Sequence, residues 1–175
     1  MPSTTAALVD LWDCYLDYDR TYMALRNFAT ATRRGYASDL RLFIRYLTEE
    51  SGVNAVRAVE RTHVHGYFAE LDRRGRAGAT RARNLAAVKS FFCYLEDAGI
   101  IDLNPAKRIP WPKQEMREPK VLAEDQYVRL RAVCKHHARD RALIELFLQT
   151  GLRLTEVASL TLGDLQLRQQ GPSAP

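Results

Sequence analysis

The chain has 175 residues, 46% of them hydrophobic and 27% charged, a balance that suits one ordinary domain or two small ones and excludes a disordered chain. No apolar run approaches the roughly 18 residues that a membrane span needs, and Asp10 and Asp13 within the first apolar stretch argue against a signal peptide. The three widely spaced cysteines indicate reduced thiols, so we expect a cytoplasmic protein.

The positive charge is concentrated in one part of the sequence. The formal net charge is +5, and the segment 57–89 alone holds eight basic and three acidic side chains. Arginine supplies 21 of the 26 basic residues, and its planar fork can hold a phosphate through two hydrogen bonds. The pattern indicates either a nucleic-acid surface or a solvated helix face whose arginines form surface ion pairs.

Four amphipathic helices are predicted before residue 100. Apolar residues recur at helical spacing in the segments 8–28, 36–52, 61–75 and 79–99. Threonines are expected to begin three of these helices: Thr30 or Thr32 for the second, Thr62 for the third and Thr80 for the fourth. No stretch alternates with a period of two, so we predict no strand in this part of the chain.

A proline-rich segment then separates two units. Every proline away from the two chain ends lies between residues 105 and 119, and proline both fixes the backbone and disfavours helix before it. We therefore predict a domain at 1–104, a linker at 105–120 and a second unit at 121–175. That unit should contain helices at 122–137, 138–151 and 153–160, and a disordered tail from about residue 168.

A cation and an acid stand out in the second unit, within the apolar stretch "LFLQTGLRLTEVASL". Gly151 is expected to end one helix, which places Arg153 at the start of the next one and Glu156 one turn later. Backbone N–H groups and a guanidinium together could bind an anion there, with Glu156 holding the arginine in place. The alternative is an ion pair that only staples the helix turn.

The order of these segments resembles the tyrosine-type site-specific recombinases (phage integrase family) as far as about Leu167. The similarity is carried by "TRRGYASDLRLFIRYL", "NLAAVKSFFCYLEDAGIIDLNP" and "TGLRLTEVASLTLGDL". It implies an all-α fold with a four-helix, SAM-like core-binding domain on one face of a DNA duplex. The linker would then lead to the first helices of a catalytic domain. It further implies that Arg153 contacts the scissile phosphate and that Glu156 supports it.

The sequence also departs from the family pattern. The family needs a lysine, a His-x-x-Arg motif, a further His or Trp and a nucleophilic tyrosine, all after the first arginine. None of these residue types except arginine follows Arg153, and the one His-x-x-Arg, at 136–139, precedes it. We therefore expect a truncated recombinase that forms no covalent intermediate with DNA. Whether the chain is an enzyme is left open.

The resemblance also suggests which residues touch DNA and which partners to expect. Double-stranded DNA is the expected partner, and self-association on DNA is left open. We expect no membrane, no small-molecule substrate, no cofactor and no metal, since Cys134, His136 and His137 are too few for a metal site. The alternatives are a free-standing DNA-binding regulator and a helical protein–protein module. The candidate DNA contacts are Thr32, Arg33, Arg34, Arg41, Thr80, Arg81, Arg83 and Lys89.

Overall fold

The computed structural model of the protein describes residues 9–113 and 121–164. Within these ranges the chain is helical and has no strand, apart from one isolated antiparallel bridge between Asp10 and Ala55. The prediction of an all-α chain is confirmed. None of the described helices combines the length and the hydropathy that crossing a membrane requires. The described residues form two compact units, 9–113 and 121–164, called the N-terminal and the C-terminal unit below. The predicted tail lies outside them.

Four helices build the N-terminal unit, as the apolar spacing predicts. Two of them end in, or contain, a π-helical turn, in which one extra residue widens the helix locally. Helix α1 runs through Leu11–Asp17, the π-helical turn Tyr18–Tyr22 and Met23–Leu25; α2 comprises Thr30–Arg45 and the π-helical turn Tyr46–Glu50; a short 3-10 turn, Val56–Ala58, precedes α3 at Arg61–Arg73; and α4 is Gly78–Asp97.

The predicted threonine caps are wrong. Each of the helices α2 to α4 begins at least one residue earlier than a capping threonine would allow, and their N-cap residues are Ala29, Glu60 and Ala77. Only Glu60 takes part in a capping box, with His63. For α2, Phe28 packs against the rings of neighbouring aromatic residues, so that tertiary packing and not a side-chain cap sets the helix start.

Aromatic side chains form the centre of the N-terminal unit. Phe43 of α2 lies edge-on to Tyr67 of α3 and Phe92 of α4, with ring centroids 5.0 and 6.0 Å apart. Tyr18 of α1 packs edge-on against Phe91, and its hydroxyl donates to Ser90 Oγ at 2.8 Å. Each large apolar side chain buried in this way contributes about 1.5–3 kcal/mol to folding. The apolar stripes of all four helices therefore meet in one core.

The chain beyond α4 still packs against the N-terminal unit. Ile101, Ala106 and Ile109 are buried in the same core. Asn104 fixes this return because its Oδ1 accepts a hydrogen bond from the Ala106 N–H at 2.8 Å and its Nδ2 donates to the Lys89 carbonyl. The predicted bounds of 1–104 for the domain and 105–120 for the linker stay a prediction, but residues 105–109 contribute to this core.

The C-terminal unit is more open. Among its described residues Val157 alone is buried. The apolar side chains of its longest helix are only half-buried, and one ion pair, Arg131 Nη2 to Glu145 Oε2 at 2.8 Å, joins its first two helices. The unit contains α5 at Glu124–Val133, α6 at Ala138–Thr150, α7 at Leu154–Ala158 and a 3-10 turn at Leu162–Asp164.

Candidate nucleic-acid interface

Helix α2 presents a stripe of three arginines and one serine to solvent, called the arginine stripe below. Arg34, Ser38, Arg41 and Arg45 recur at i, i+4, i+7 and i+11, which places them on one face of the helix, and all four are exposed. At 1.5 Å per residue the stripe is roughly 16 Å long, enough to follow several phosphates of a nucleic-acid strand. The candidates predicted from the sequence include Arg34 and Arg41 but not Arg45, which the same helical spacing could have indicated.

The cations of this stripe are mostly unpaired. Within the described residues no carboxylate lies within 4.0 Å of the guanidinium of Arg34 or Arg41. Arg41 instead lies over the ring of Tyr15, with its Cζ 5.7 Å from the ring centroid. Arg45 has only a long ion pair, 4.0 Å, to Glu49 one turn later. This face of α2 can therefore accept anions without first breaking a close ion pair.

Arg33 and Thr32, two further candidates on α2, have different surroundings. Arg33 points back to α1, where its Nε donates to Asp19 Oδ1 at 3.1 Å and its Nη2 donates to the Asp19 carbonyl at 2.6 Å. The hydrogen bond to Asp19 raises the pKa of the Arg33 guanidinium. Arg33 thus joins two helices, whereas Thr32 is exposed in the first turn of α2.

A polar cleft of about 300 Å³ opens between α2, the end of α3 and the start of α4. Its charges balance, because four arginines and four carboxylates line it. Arg74 is held there by Glu70 at 2.5 Å and by Glu50 at 3.4 Å. The remaining charged side chains of the lining are Asp39, Arg45, Glu49, Arg76 and Arg83, and Ser38 and Thr80 add hydroxyls.

The candidates Arg81 and Arg83 form ion pairs of opposite orientation. Arg83 donates from Nε and Nη2 to the two carboxylate oxygens of Asp39, at 2.8 and 3.0 Å. In this pair the acid side chain is 3% exposed and the arginine 54%. Arg81 pairs with Asp72, and there the arginine is 24% exposed and the acid 65%. The first pair therefore turns its cation to solvent, and the second turns its anion there.

Lys89 and Thr80 complete the candidates in α4. Lys89 is the twelfth residue of this helix and lies beyond its first turns. The Lys89 Nζ lies 4.8 Å from the ring centroid of Trp111, a cation–π contact on a largely exposed ring. Thr80 is half-buried in the first turn.

Arg153 and Glu156 in the C-terminal unit are joined as the sequence predicts. Gly151 ends α6 with a φ of 65°, a left-handed conformation that favours glycine. Arg153 is the N-cap of α7, and its backbone N–H donates to Glu156 Oε2 at 2.7 Å while its Nη1 donates to Oε1 at 2.9 Å. These hydrogen bonds, the backbone one first, lower the pKa of Glu156.

This pair fixes the arginine without covering it. The Arg153 side chain is 82% exposed, although the stretch around it is mostly apolar. Its Nε and Nη2 have no hydrogen-bond partner among the described residues and can donate to an external anion. The geometry is compatible with a phosphate contact and also with a stapled helix turn, so the role of both residues stays a prediction.

Comparison with known proteins identifies the class. The model of the phage integrase N-terminal SAM-like domain matches residues 16–99, and that of the phage integrase family matches residues 120–171. The two matches follow the same order as the two units and together cover most of the chain. The chain belongs to the tyrosine recombinase (phage integrase) family and carries its N-terminal part.

Individual relatives agree with this assignment. The chain is 32% identical over 159 residues to tyrosine recombinase XerD of Listeria monocytogenes, with 89% of this chain and 54% of the relative covered. It is 33% identical over 172 residues to tyrosine recombinase XerC of Syntrophus aciditrophicus, with 93% and 54% covered. It thus spans about half the length of these curated relatives.

A solved structure shows the same fold. One chain of a lambda integrase tetramer bound to a Holliday junction superposes on this chain with a TM-score of 0.75 at 19% identity. The match covers 93% of this chain and 45% of the lambda integrase chain. At this level of identity the likeness concerns the fold alone. The SAM-like helical domain expected from the sequence is confirmed.

Proposed function

We propose that this chain binds double-stranded DNA as the N-terminal part of a site-specific recombinase, in the cytoplasm. The observation that carries the proposal is the arginine stripe of α2, whose cations at Arg34 and Arg41 are exposed and not paired with a carboxylate among the described residues. Unpaired arginines at helical spacing suit a row of phosphates better than a solvated helix face, where ion pairs would be expected.

The starts of α2 and α4 support the same interpretation. Both helices have an alanine as N-cap, and in the part of the chain that the structure describes no side chain caps their first amides. Their N–H groups therefore remain available as donors, at the end of the helix that carries partial positive charge. Phosphates of a duplex are a fitting partner for such ends. Thr32 and Thr80 lie in these first turns and add hydroxyl donors.

Family membership supports the domain roles and the mode of assembly. We assign the core-binding function to residues 1–104, the linker to 105–120 and the beginning of the catalytic domain to 121–175. The lambda integrase neighbour was solved as a tetramer on a Holliday junction. By analogy, this chain would self-associate on DNA, with each copy holding one segment of duplex.

Duplex affinity of the full chain tests this proposal. Anisotropy titrations with a short labelled duplex at several salt concentrations should show binding that weakens with salt. Changing Arg34 and Arg41 together to Gln should weaken it and lower the slope of log affinity against log salt by about one per lost contact. Changing Arg73 and Arg74 together to Gln is the matched control, because it also removes two positive charges and Glu70 already holds both guanidinium groups.

The outcome also separates the classes of function. Salt-independent binding, or no binding to any duplex, would favour a protein–protein module over a DNA-binding protein. Equal losses in the stripe variant and in the Arg73 and Arg74 control would show that net charge, and not the stripe, determines affinity.

We further propose that Arg153 is a phosphate contact and that Glu156 orients it. An arginine of this kind stabilises charge on a phosphate during transfer, and losing one such donor costs roughly 3–4 kcal/mol of barrier. The 175 residues contain no tyrosine after Arg153. The polypeptide with this sequence should therefore form no covalent adduct with a nicked suicide substrate on a denaturing gel. An adduct that disappears in Tyr127→Phe would refute this.

A further inference from the structure

The ion pair of Asp39 and Arg83 joins the two helices that carry the proposed DNA surface. The two residues are 44 positions apart in sequence, and their contact forms only in the folded N-terminal unit. Gly35, one turn before Asp39, lies beside Arg83: a Cβ at that position would be in ordinary contact with Arg83 Cδ at 3.7 Å and with its Nε at 3.8 Å. The arginine thus lies across the backbone of α2 to reach the acid.

The geometry of this pair leaves one edge of the guanidinium open. Nε and one N–H of Nη2 are taken by Asp39. Both N–H groups of Nη1 and the second of Nη2 have no partner among the described residues, and just over half of the side chain is exposed. Asp39 is almost completely buried, so it cannot touch a ligand itself. It holds the planar fork in one orientation with its free edge outward.

Burying the carboxylate of Asp39 costs desolvation free energy, and charge neutralisation alone does not require that burial. A buried ion pair is weak support for stability, because desolvation offsets most of the attraction. A surface pair such as that of Arg81 and Asp72 neutralises charge without burying the acid. The difference between the two neighbouring pairs therefore points to orientation as the use of Asp39.

We propose that Asp39 is a positioning residue that presents Arg83 as a fixed contact to a DNA phosphate beside the arginine stripe of α2. This inference rests on the proposed DNA binding. It also distinguishes two candidates of α4. Arg83 would contact the DNA backbone, whereas Arg81 would stay paired with Asp72. Ser38 and Thr80, which line the cleft together with Arg83, would supply neutral donors to the same phosphate.

The test uses a variant for which net charge and the positioning of Arg83 predict opposite changes in DNA affinity. Asp39→Asn removes a negative charge, and on net charge alone this should strengthen binding to DNA. If Asp39 positions Arg83, the variant should bind a random-sequence duplex roughly three- to tenfold more weakly. Asp72→Asn makes the same charge change at a neighbouring pair and should bind as tightly as the parent chain, or more tightly.

A double-variant cycle of Asp39 and Arg83 distinguishes the positioning role of Asp39 from a merely structural one. Arg83→Gln should weaken binding to a similar extent, and adding Asp39→Asn to that variant should cause no further loss of affinity. All titrations are made with the full chain, well below the melting temperature that circular dichroism gives for each variant. If Asp39→Asn does not fold, Arg83→Lys replaces it, because lysine keeps the charge but not the oriented fork, and should also weaken binding roughly three- to tenfold.

The results distinguish this inference from the broader proposal. Absence of salt-dependent duplex binding by the parent chain would overturn DNA binding itself. Normal binding by the parent chain with equal or tighter binding by Asp39→Asn, or by Arg83→Lys where that variant is used, would leave DNA binding intact and overturn the role of Asp39.

Discussion

The two units of this chain contain similar helices but differ in how they are packed. In the described parts of the chain, 24 buried apolar residues lie in the N-terminal unit and one, Val157, in the C-terminal unit. Both units have helices with apolar stripes. In the first unit neighbouring helices cover each stripe, whereas in the second the stripe of α6 remains half-buried. Amphipathic spacing predicts a helix, but a core needs enough neighbouring helices to cover each stripe.

The largest expected effect concerns independent folding. A fragment of residues 1–113 should show a helical circular dichroism spectrum and a cooperative melt, because it contains the whole buried core. A fragment of residues 117–175 should show little helix and no cooperative transition, since chains below about 60 residues with so little burial are marginal at best. A cooperative melt of the second fragment would contradict the contrast drawn between the units.

The fragment 1–104 sharpens the same comparison. It lacks Ala106 and Ile109, whose side chains are buried in the core of the N-terminal unit. We expect it to fold, but with a free energy of unfolding lower by roughly 2–4 kcal/mol than that of the fragment 1–113. Equal stability of the two fragments, measured by urea titration, would show that residues 105–113 contribute nothing to stability.

The next effect is a matched pair of truncations. Phe43→Ala removes a fully buried ring that packs against Tyr67 and Phe92, and should lower the free energy of unfolding by about 3–5 kcal/mol. Phe147→Ala in α6 makes the same chemical change at a half-buried position and should cost less than about 1 kcal/mol. Urea denaturation of the full chain measures both. Similar losses would mean that the C-terminal unit is packed as tightly as the first.

Thiol reactivity should report the same contrast without mutation. Cys14 is buried in the core, and burial, with Asp10, Asp13 and Asp17 nearby, raises its thiol pKa to about 11. Cys134 in the C-terminal unit is partly exposed. Alkylation at neutral pH, followed by mass spectrometry, should modify Cys134 at least about a hundredfold faster than Cys14. Comparable rates would indicate that the N-terminal core opens readily.

The smallest effect is a pair of glycine substitutions within the N-terminal unit. Gly35 and Gly66 are each the sixth residue of their helices. A Cβ at Gly35 would make ordinary contacts, so Gly35→Ala should stabilise the unit by about 0.5–1 kcal/mol. A Cβ at Gly66 would lie 2.7 Å from the Tyr46 hydroxyl, so Gly66→Ala should bring no gain. Equal stabilisation in thermal melts would mean that Tyr46 moves aside without cost.

The sequence by itself determined the features that depend on near neighbours along the chain. The four helices before residue 100 follow from apolar spacing within a few turns. The Arg153–Glu156 pair follows from a separation of three residues after a helix-ending glycine, and the order of motifs indicates the family. Helix starts were less predictable, because the packing of Phe28 and not a threonine cap sets the beginning of α2.

Only the tertiary structure decided which charges face outward. The sequence places Arg81 and Arg83 two residues apart in one basic segment and gives no reason to distinguish them. The fold brings Arg83 to a buried acid 44 residues earlier in the chain, and brings Arg81 to an exposed one. Contacts over that separation depend on how α2 and α4 pack, so local spacing cannot predict them. For the same reason the sequence could not show that Arg34 and Arg41 have no carboxylate partner among the described residues while Arg33 is held by Asp19.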